Sequence, residues 1–529
     1  MFNRKNSAVA TPTSPTRRVA RTVNVPLNRV EGDLEVRVEL QDDVVTEAWS
    51  AGTLYRGFEN MLVGRAALDG LVLTPRVCGI CSTAHLTAAV KALESVTNAT
   101  PPPDALRIRN VALLAEMMQS DVRQTMLMFM PDFTNPAYTV ETFYDEAVRR
   151  YAPLRGESAI DAIRESKRIL EIVAILGGQW PHSSYMVPGG VVSLPSAAEL
   201  THCRCILSGY KRWYERRILG CALERWQSIH KRRDLEQWLE EDDAHRGSEL
   251  GQLLRLGTAV GLERVGAGPN QYYCAGGLEI PADSEVRSPS RGGAYLIPPG
   301  FAHGRKVRPL DETKIAEDVS HSWSADYPGA RHPLQGETLP QDPRDEGRKY
   351  SWAKAPRYDG APAETGPLAE RIVTGDPLFL ELCDPRPNAL ARQVARLTRP
   401  ATLIPAMERW LEEIMPDQSN YAPPPKPVEG EGAGLTEAAR GALGHWIRIA
   451  EGKIQHYQII TPTAWNGSPR DARNQRGPWE EALLGTPVRD PENPVELGHV
   501  IRSFDPCLVC TVHTLQTKAG CASGVRIRL

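Results

Sequence analysis

The sequence predicts an α+β fold, mostly helical, with a core of long helices and β hairpins at its periphery. Three observations predict it: an early stretch of period two, several long helical runs bounded by caps and breakers, and a second hairpin signature near the end. Leu34, Val36, Val38 and Leu40 alternate with Glu35, Arg37 and Glu39, the pattern of a half-buried strand. Gln41-Asp42-Asp43 turns the chain into a second strand, Val44–Trp49. Pro101–Pro103 end the helix that follows Cys81, and Asp104 is placed to cap the next one. That helix carries Leu106, Val111, Leu114, Met117, Met118 and Val122 towards a core. Ser158–Leu176 reads as a helix stopped by Gly177-Gly178. Ser196 with Glu199 forms a capping box, opening a helix expected to run to about Trp226. Residues 283–366 are rich in Pro, Gly and charge with little periodicity. They are expected to make an extended excursion over the surface, held against the body or a partner because it is too long for an ordinary loop. Ile447 and Ile449 precede Glu451-Gly452, and Ile454 starts the return strand of a hairpin.

The chain's 529 residues, 41% of them hydrophobic, can bury one large core or two ordinary ones. Net charge is −3, without the basic excess of a nucleic-acid-binding protein. No apolar run approaches the ~18–20 residues of a membrane span; the longest, such as Ile169–Leu176, are helix-core length. Residues 1–21 read as a basic, polar tail lacking the features of a Sec or twin-arginine signal. A single domain is expected over 22–513, followed by an extension, 514–529.

Of ten cysteines, Cys203, Cys205, Cys221, Cys274, Cys383 and Cys521 show no ligand spacing. The other four form two pairs, in Arg76-Val77-Cys78-Gly79-Ile80-Cys81-Ser82-Thr83-Ala84-His85 and in Asp505-Pro506-Cys507-Leu508-Val509-Cys510-Thr511-Val512-His513. Two intervening residues let both sulfurs of a pair converge on one ion. His85, four residues after Cys81, sits one helical turn away on the same face. A structural zinc site is one reading, but its pairs are usually separated by roughly 15–20 residues, and these stand at opposite ends of the chain. A redox C-x2-C needs one pair, not two. A catalytic site for soft or borderline metals is the third reading. Spacing alone leaves all three open.

The two motifs resemble the signatures of nickel-iron hydrogenase large subunits, Arg-x-Cys-x-x-Cys-x-x-x-His and Asp-Pro-Cys-x-x-Cys-x-x-His, at every fixed position. Asn28-Arg29-Val30-Glu31-Gly32, Tyr55-Arg56-Gly57-Phe58-Glu59, Val187-Pro188-Gly189-Gly190, Lys349–Gly360 and Ala439-Arg440-Gly441-Ala442-Leu443-Gly444 extend the likeness over residues 25–513. A respiratory Complex I subunit resembles the same family but lacks the full cysteine set. The resemblance implies heterolytic cleavage of H2 into protons and electrons at a Ni-Fe centre whose iron carries carbon monoxide and cyanide. It implies Cys78 and Cys507 as terminal nickel ligands and Cys81 and Cys510 as bridges to iron. Cys507 would relay the proton to Glu31. Arg440 would stand over the open face of the metals, with Asp121 and Asp505 beneath it. Glu59, the backbone carbonyl of Ile459 and His513 would hold Mg2+, and His85 would hydrogen-bond near a bridging sulfur. Two departures are Ala439, where relatives often have Pro, and Asp33, where many have His.

The resemblance further implies an iron-sulfur small subunit as obligate partner, because no four-cysteine set remains here for a cluster. A higher oligomer of heterodimers, nickel-insertion factors and a maturation protease that removes 514–529 belong to the same expectation. The first motif resembles the cytoplasmic uptake group, so the expected location is the cytoplasm, with membranes reached only through partners. The rival readings are an H2-sensing regulatory subunit with little turnover and a zinc-stapled subunit of a respiratory complex.

Overall fold

The computed structural model describes residues 21–30, 32, 34–290, 292–341, 348–416 and 418–507. The extension expected at one end, and all of the tail expected at the other but Arg21, lie outside the described residues. Strands β1 (Arg21–Pro26), β2 (Leu34–Gln41) and β3 (Val44–Gly52) form an antiparallel meander. The residues expected on the inner face of β2 are buried, against Leu497, Ile501 and Phe504 from the other end of the chain. Asp42 and Asp43 both take positive φ, 55° and 60°, the twist a two-residue hairpin needs and one that Asp tolerates. Strand β1 was not legible as a strand.

Helices α1 (Phe58–Leu62), α2 (Ser82–Thr97), α3 (Pro103–Arg123), α4 (Glu157–Gly177) and α5 (Ala197–Trp213) follow. α3 packs on α4, and α4 on α5. Asp104 is not the cap of α3. Pro102 holds that position and Pro103 opens the helix, where a missing N–H costs nothing. Asp104 sits inside the first turn, pairs with Arg107 at 2.6 Å and accepts the Met415 N–H at 3.1 Å. Of the residues expected to face a core, Leu106 is only half-buried; the rest are fully buried, and α3 is enclosed on nearly every side. Gly178, at φ 78°, terminates α4. The Ser196–Glu199 capping box is present. α5 ends well before Trp226: a π turn, Tyr214–Leu219, runs into Gly220 at φ 72°. A Cβ there would lie 2.4 Å from the Ala244 carbonyl, so only glycine allows the break.

The excursion expected over 283–366 is turned inward in part. Strands β4 (Ile315–Asp318) and β5 (Ala355–Tyr358) pair antiparallel, and every residue of β5 is buried. The segment looks superficial in sequence because its buried charges are paired. Lys354 meets Glu317, and Arg357 meets Asp471, each at 2.9 Å, which is what buried charge requires.

Helices α6 (Pro367–Thr374), α7 (Ala389–Thr398) and α8 (Pro400–Glu413) complete the bundle, with α8 on α3. Strands β6 (Gly430–Ala438), β7 (Gly441–Ala450) and β8 (Lys453–Ile460) make an antiparallel sheet laid on α2. Its second turn is the expected one, with Glu451 at φ 53° and Gly452 at φ 72°. Helix α9 (Val495–Ser503) brings the chain back beside the meander.

Glu480 is wholly buried behind β3, accepting hydrogen bonds from the Tyr350 hydroxyl at 2.7 Å and the Ser50 N–H at 3.0 Å. Burial pushes its pKa up to about 7, against these hydrogen bonds and the nearby Arg470. The folded protein therefore binds this proton more tightly than the unfolded chain does. The stabilising contribution is largest below the ordinary carboxyl value and is lost as pH rises from about 4.5 to about 7. Glu480→Gln is expected to flatten the fall in melting temperature between pH 5 and 7 relative to wild type. Parallel curves for the two proteins refute the assignment.

Candidate metal centre

Two chain crossings assemble the site. Cys78 lies on the segment entering α2, Cys81 is the residue at that helix's N-terminal boundary, and Cys507 follows α9. All three are buried, and their sulfurs lie within 4.8 Å of one another, with Cys78 Sγ 3.6 Å from Cys507 Sγ. Among the described residues no other His, Cys, Asp or Glu joins this group. Thiols so gathered suit soft or borderline metals. Glu116 fixes the amino end of α2. Its carboxylate accepts the N–H groups of Thr83 at 2.8 Å and Ala84 at 3.0 Å, and burial holds its pKa up, near 7. Asp505, just before Pro506, adopts φ 59°, a conformation costing about 1 kcal/mol or more for a non-glycine residue. That turn delivers Cys507 inward, where its N–H donates to Thr463 Oγ1 at 3.0 Å.

Arg440 is buried beside the sulfurs with Nε 3.1 Å from Asp505 Oδ1. Burial opposes its charge, but Asp505 and the three sulfurs hold the guanidinium firmly protonated. Asp505 thus pairs with Arg440, and Asp121 does not. Asp121 binds Arg399 through both oxygens, at 2.7 and 2.8 Å, and approaches Arg396 at 3.5 Å. α3 carries Asp121 to the junction of α7 and α8, where two arginines compete for it. Arg396 and Arg399 also donate to the carbonyl of Ala439, at 3.2 and 2.7 Å, and Arg396 reaches Asp505 at 3.1 Å. They pin both the backbone that carries Arg440 and its counter-ion.

His85 stands one turn into α2, but the partner of its ring is His445 on β7, Nδ1 to Nε2 at 3.0 Å; His445 Nδ1 in turn lies 2.8 Å from the Tyr457 hydroxyl. Burial lowers the His85 pKa to about 4, so the ring is neutral. Glu59 Oε1 accepts the Ile459 N–H at 2.8 Å, and Thr338 donates to its other oxygen. These two expected neighbours therefore meet, through Ile459's amide. Glu31, Cys510 and His513 lie outside the described residues, as does Asp33.

Sequence reasoning passed over Arg396, Arg399 and Glu116. A signal for the first two existed: Arg392, Arg396 and Arg399 recur at helical spacing in the Ala- and Leu-rich run Ala389–Ala406 and must either leave the core or find carboxylates.

The profile of the nickel-dependent hydrogenase family matches residues 56–136 and 259–513. The periplasmic [NiFeSe] hydrogenase large subunit of Desulfomicrobium baculatum is 31% identical, covering 94% of this chain and 95% of that protein. The uptake hydrogenase large subunit of Rhodobacter capsulatus is 28% identical over 96% and 97%. Among solved structures, the reduced Ni-Fe-Se hydrogenase of D. vulgaris Hildenborough superposes with a TM-score of 0.78 at 30% identity, covering 94% of this chain and all of that one.

Proposed function

Because this chain belongs to the nickel-dependent hydrogenase family and is a hydrogenase large subunit, we propose that Cys78, Cys81, Cys507 and Cys510 together hold its Ni-Fe centre. The observation that carries this is the convergence of three buried thiols from opposite ends of the chain. When bound, the centre, its iron bearing carbon monoxide and cyanide, supplies the chemistry that splits H2 into protons and electrons. In this reading Cys78 and Cys507 would serve nickel alone, and Cys81 and Cys510 would serve both metals. Cys507 Sγ takes up the released proton and passes it to Glu31. Arg440 keeps a fixed positive fork over the sulfurs, suited to hydrogen-bonding cyanide.

Glu59, the Ile459 carbonyl and His513 hold Mg2+. In an antiparallel ladder a residue's N–H and C=O face the same flank, so the Ile459 carbonyl is turned towards the side on which Glu59 meets its amide. Electrons leave through an iron-sulfur small subunit, and heterodimers assemble further. Nickel-insertion factors load the site, and a protease then removes 514–529. No helix among the described residues is long and apolar enough to cross a membrane. Cys203, Cys205, Cys221, Cys274 and Cys383 are free thiols, which suits the reducing cytoplasm; we place the enzyme there, reaching membranes through partners.

Elemental analysis and infrared spectroscopy of the purified complex, with H2-driven reduction of an artificial acceptor, test this reading. Nickel, iron, carbon monoxide and cyanide bands and turnover are expected. Zinc without nickel, or nickel without turnover, overturns it in favour of a stapled subunit or a sensor. Arg440→Lys is expected to keep nickel yet lose about tenfold to a hundredfold in turnover, the scale of 1–3 kcal/mol of transition-state stabilisation. Unchanged turnover in that variant removes Arg440 from the machinery.

A further inference from the structure

Arg440 and Asp505 wall one side of a small, mostly enclosed polar cavity of about 10 Å³. Ser120 and Arg123 on α3, Gln124 just after it, and Arg29 also line it. The volume is on the order of what a single water needs, far too small for an organic ligand. Ser120 is 1% exposed, and its hydroxyl has no hydrogen-bond partner among the described residues. The same holds for Arg440 Nε and Nη1 and for Asp505 Oδ2: the ion pairs these groups make are close in distance but not aligned as hydrogen bonds. Buried polar atoms left so cost about 1–3 kcal/mol each, and here all three residues that carry them line one water-sized space.

We infer that this cavity is a specific one-water site, in which Ser120 holds a water against Arg440 and Asp505. The donor and acceptor count fits. The water donates to Asp505 Oδ2, accepts from the guanidinium, and exchanges a hydrogen bond with Ser120 Oγ, within the two to four partners a buried water takes. Arg29 also lines an open basin of about 470 Å³ that Asn28, Asp132 and Arg502 share, so it borders both the site and the basin. Arg29 is itself fixed, by Asp132 and the Met128 carbonyl, on a backbone at φ 53°. Ser120 is then a positioning residue: through the water it sets the direction of the Arg440 fork, which Arg396 and Arg399 fix only at its backbone and counter-ion. The inference rests on the proposed role of Arg440 for its consequence, and on the cavity and its unpartnered atoms for its existence.

High-resolution structures of the complex with its small subunit, as wild type, Ser120→Val and Ser120→Thr, test it. Wild type is expected to show a solvent peak within hydrogen-bond distance of Ser120 Oγ and of Arg440 or Asp505. Ser120→Val fills the space, and is expected to lose the peak and to lower turnover severalfold at unchanged nickel content. Ser120→Thr keeps the hydroxyl, the peak and the turnover. Should the valine variant fail to fold, Ser120→Ala, which adds no bulk, is expected to show the peak displaced or weakened. A fully nickel-loaded wild type without the peak, or a valine variant at wild-type turnover, overturns the inference while leaving the proposed function standing. Absence of nickel overturns the function first, and the peak can still be scored.

Discussion

Cys507→Ala is expected to abolish H2-driven reduction of an artificial acceptor, to below about a thousandth of wild type, a loss of at least ~4 kcal/mol of transition-state stabilisation. The size follows from convergence of roles. Cys507 is 0% exposed, its sulfur is 3.6 Å from that of Cys78, and its amide is fixed by Thr463. Removing it leaves two described thiols where three met and, in the proposed mechanism, removes the first proton acceptor too. Nickel content is expected to fall in parallel, because outer-shell changes alone typically cost tenfold to a hundredfold in metal affinity and this is a direct ligand. Cys205, exposed on α5 and far in sequence from both pairs, is the control: Cys205→Ala is expected to retain nickel and turnover. Full nickel loading and wild-type turnover in Cys507→Ala end the assignment. Partial nickel with no turnover agrees with it, because the proton acceptor is gone even where metal remains.

The three sulfurs show what the sequence makes legible. Both C-x2-C pairs are local patterns, and local patterns declare ligand chemistry whatever the fold; that they meet across the length of the chain is a tertiary fact, available beforehand only through the likeness to a family. The early hairpin and the Glu451-Gly452 turn were equally legible, because alternation and turn residues act at short range. Asp121 fails in the opposite way. Its position on α3 is clear, but which of three arginines it serves depends on where the α7–α8 junction lands, and Arg399 takes it with two hydrogen bonds. The segment over 283–366 was legible as held against the body but not as partly buried, because polarity normally means solvent. Lys354, Glu317, Arg357 and Asp471 are polar and buried, satisfied by one another. Strand β6 escaped for yet another reason: Gly430-Glu431-Gly432-Ala433-Gly434 has almost no strand propensity, and only the helix it lies against explains it.

That helix is α2, and strand and helix meet there backbone to backbone. A Cβ at Gly434 would stand 2.0 Å from the Ala88 carbonyl oxygen and 2.5 Å from the Ala92 nitrogen; at Gly432 it would stand 2.3 Å from the Ala92 carbonyl. Alternate glycines of β6 thus press directly on the helix backbone, with Ala88 and Ala92 supplying small side chains opposite. Neither partner can yield cheaply. β6 is locked along its length to β7, and α2 is held at its amino end by Glu116 and carries Cys81 and His85. Gly434→Ala is therefore expected to destabilise the protein by about 3 kcal/mol or more, at or beyond the upper end for overpacked cores, and to displace α2. The displacement reaches the site along a rigid helix, so nickel content and turnover should fall with the melting temperature although no ligand is touched. Gly247 has open space around it, and Gly247→Ala is expected to stay within about 0.5 kcal/mol of wild type. Comparable melting temperatures for Gly434→Ala and wild type would falsify the claim that the sheet rests on the backbone of α2. A destabilised variant with full nickel and wild-type turnover would separate the packing from the site, leaving the glycines a purely structural role.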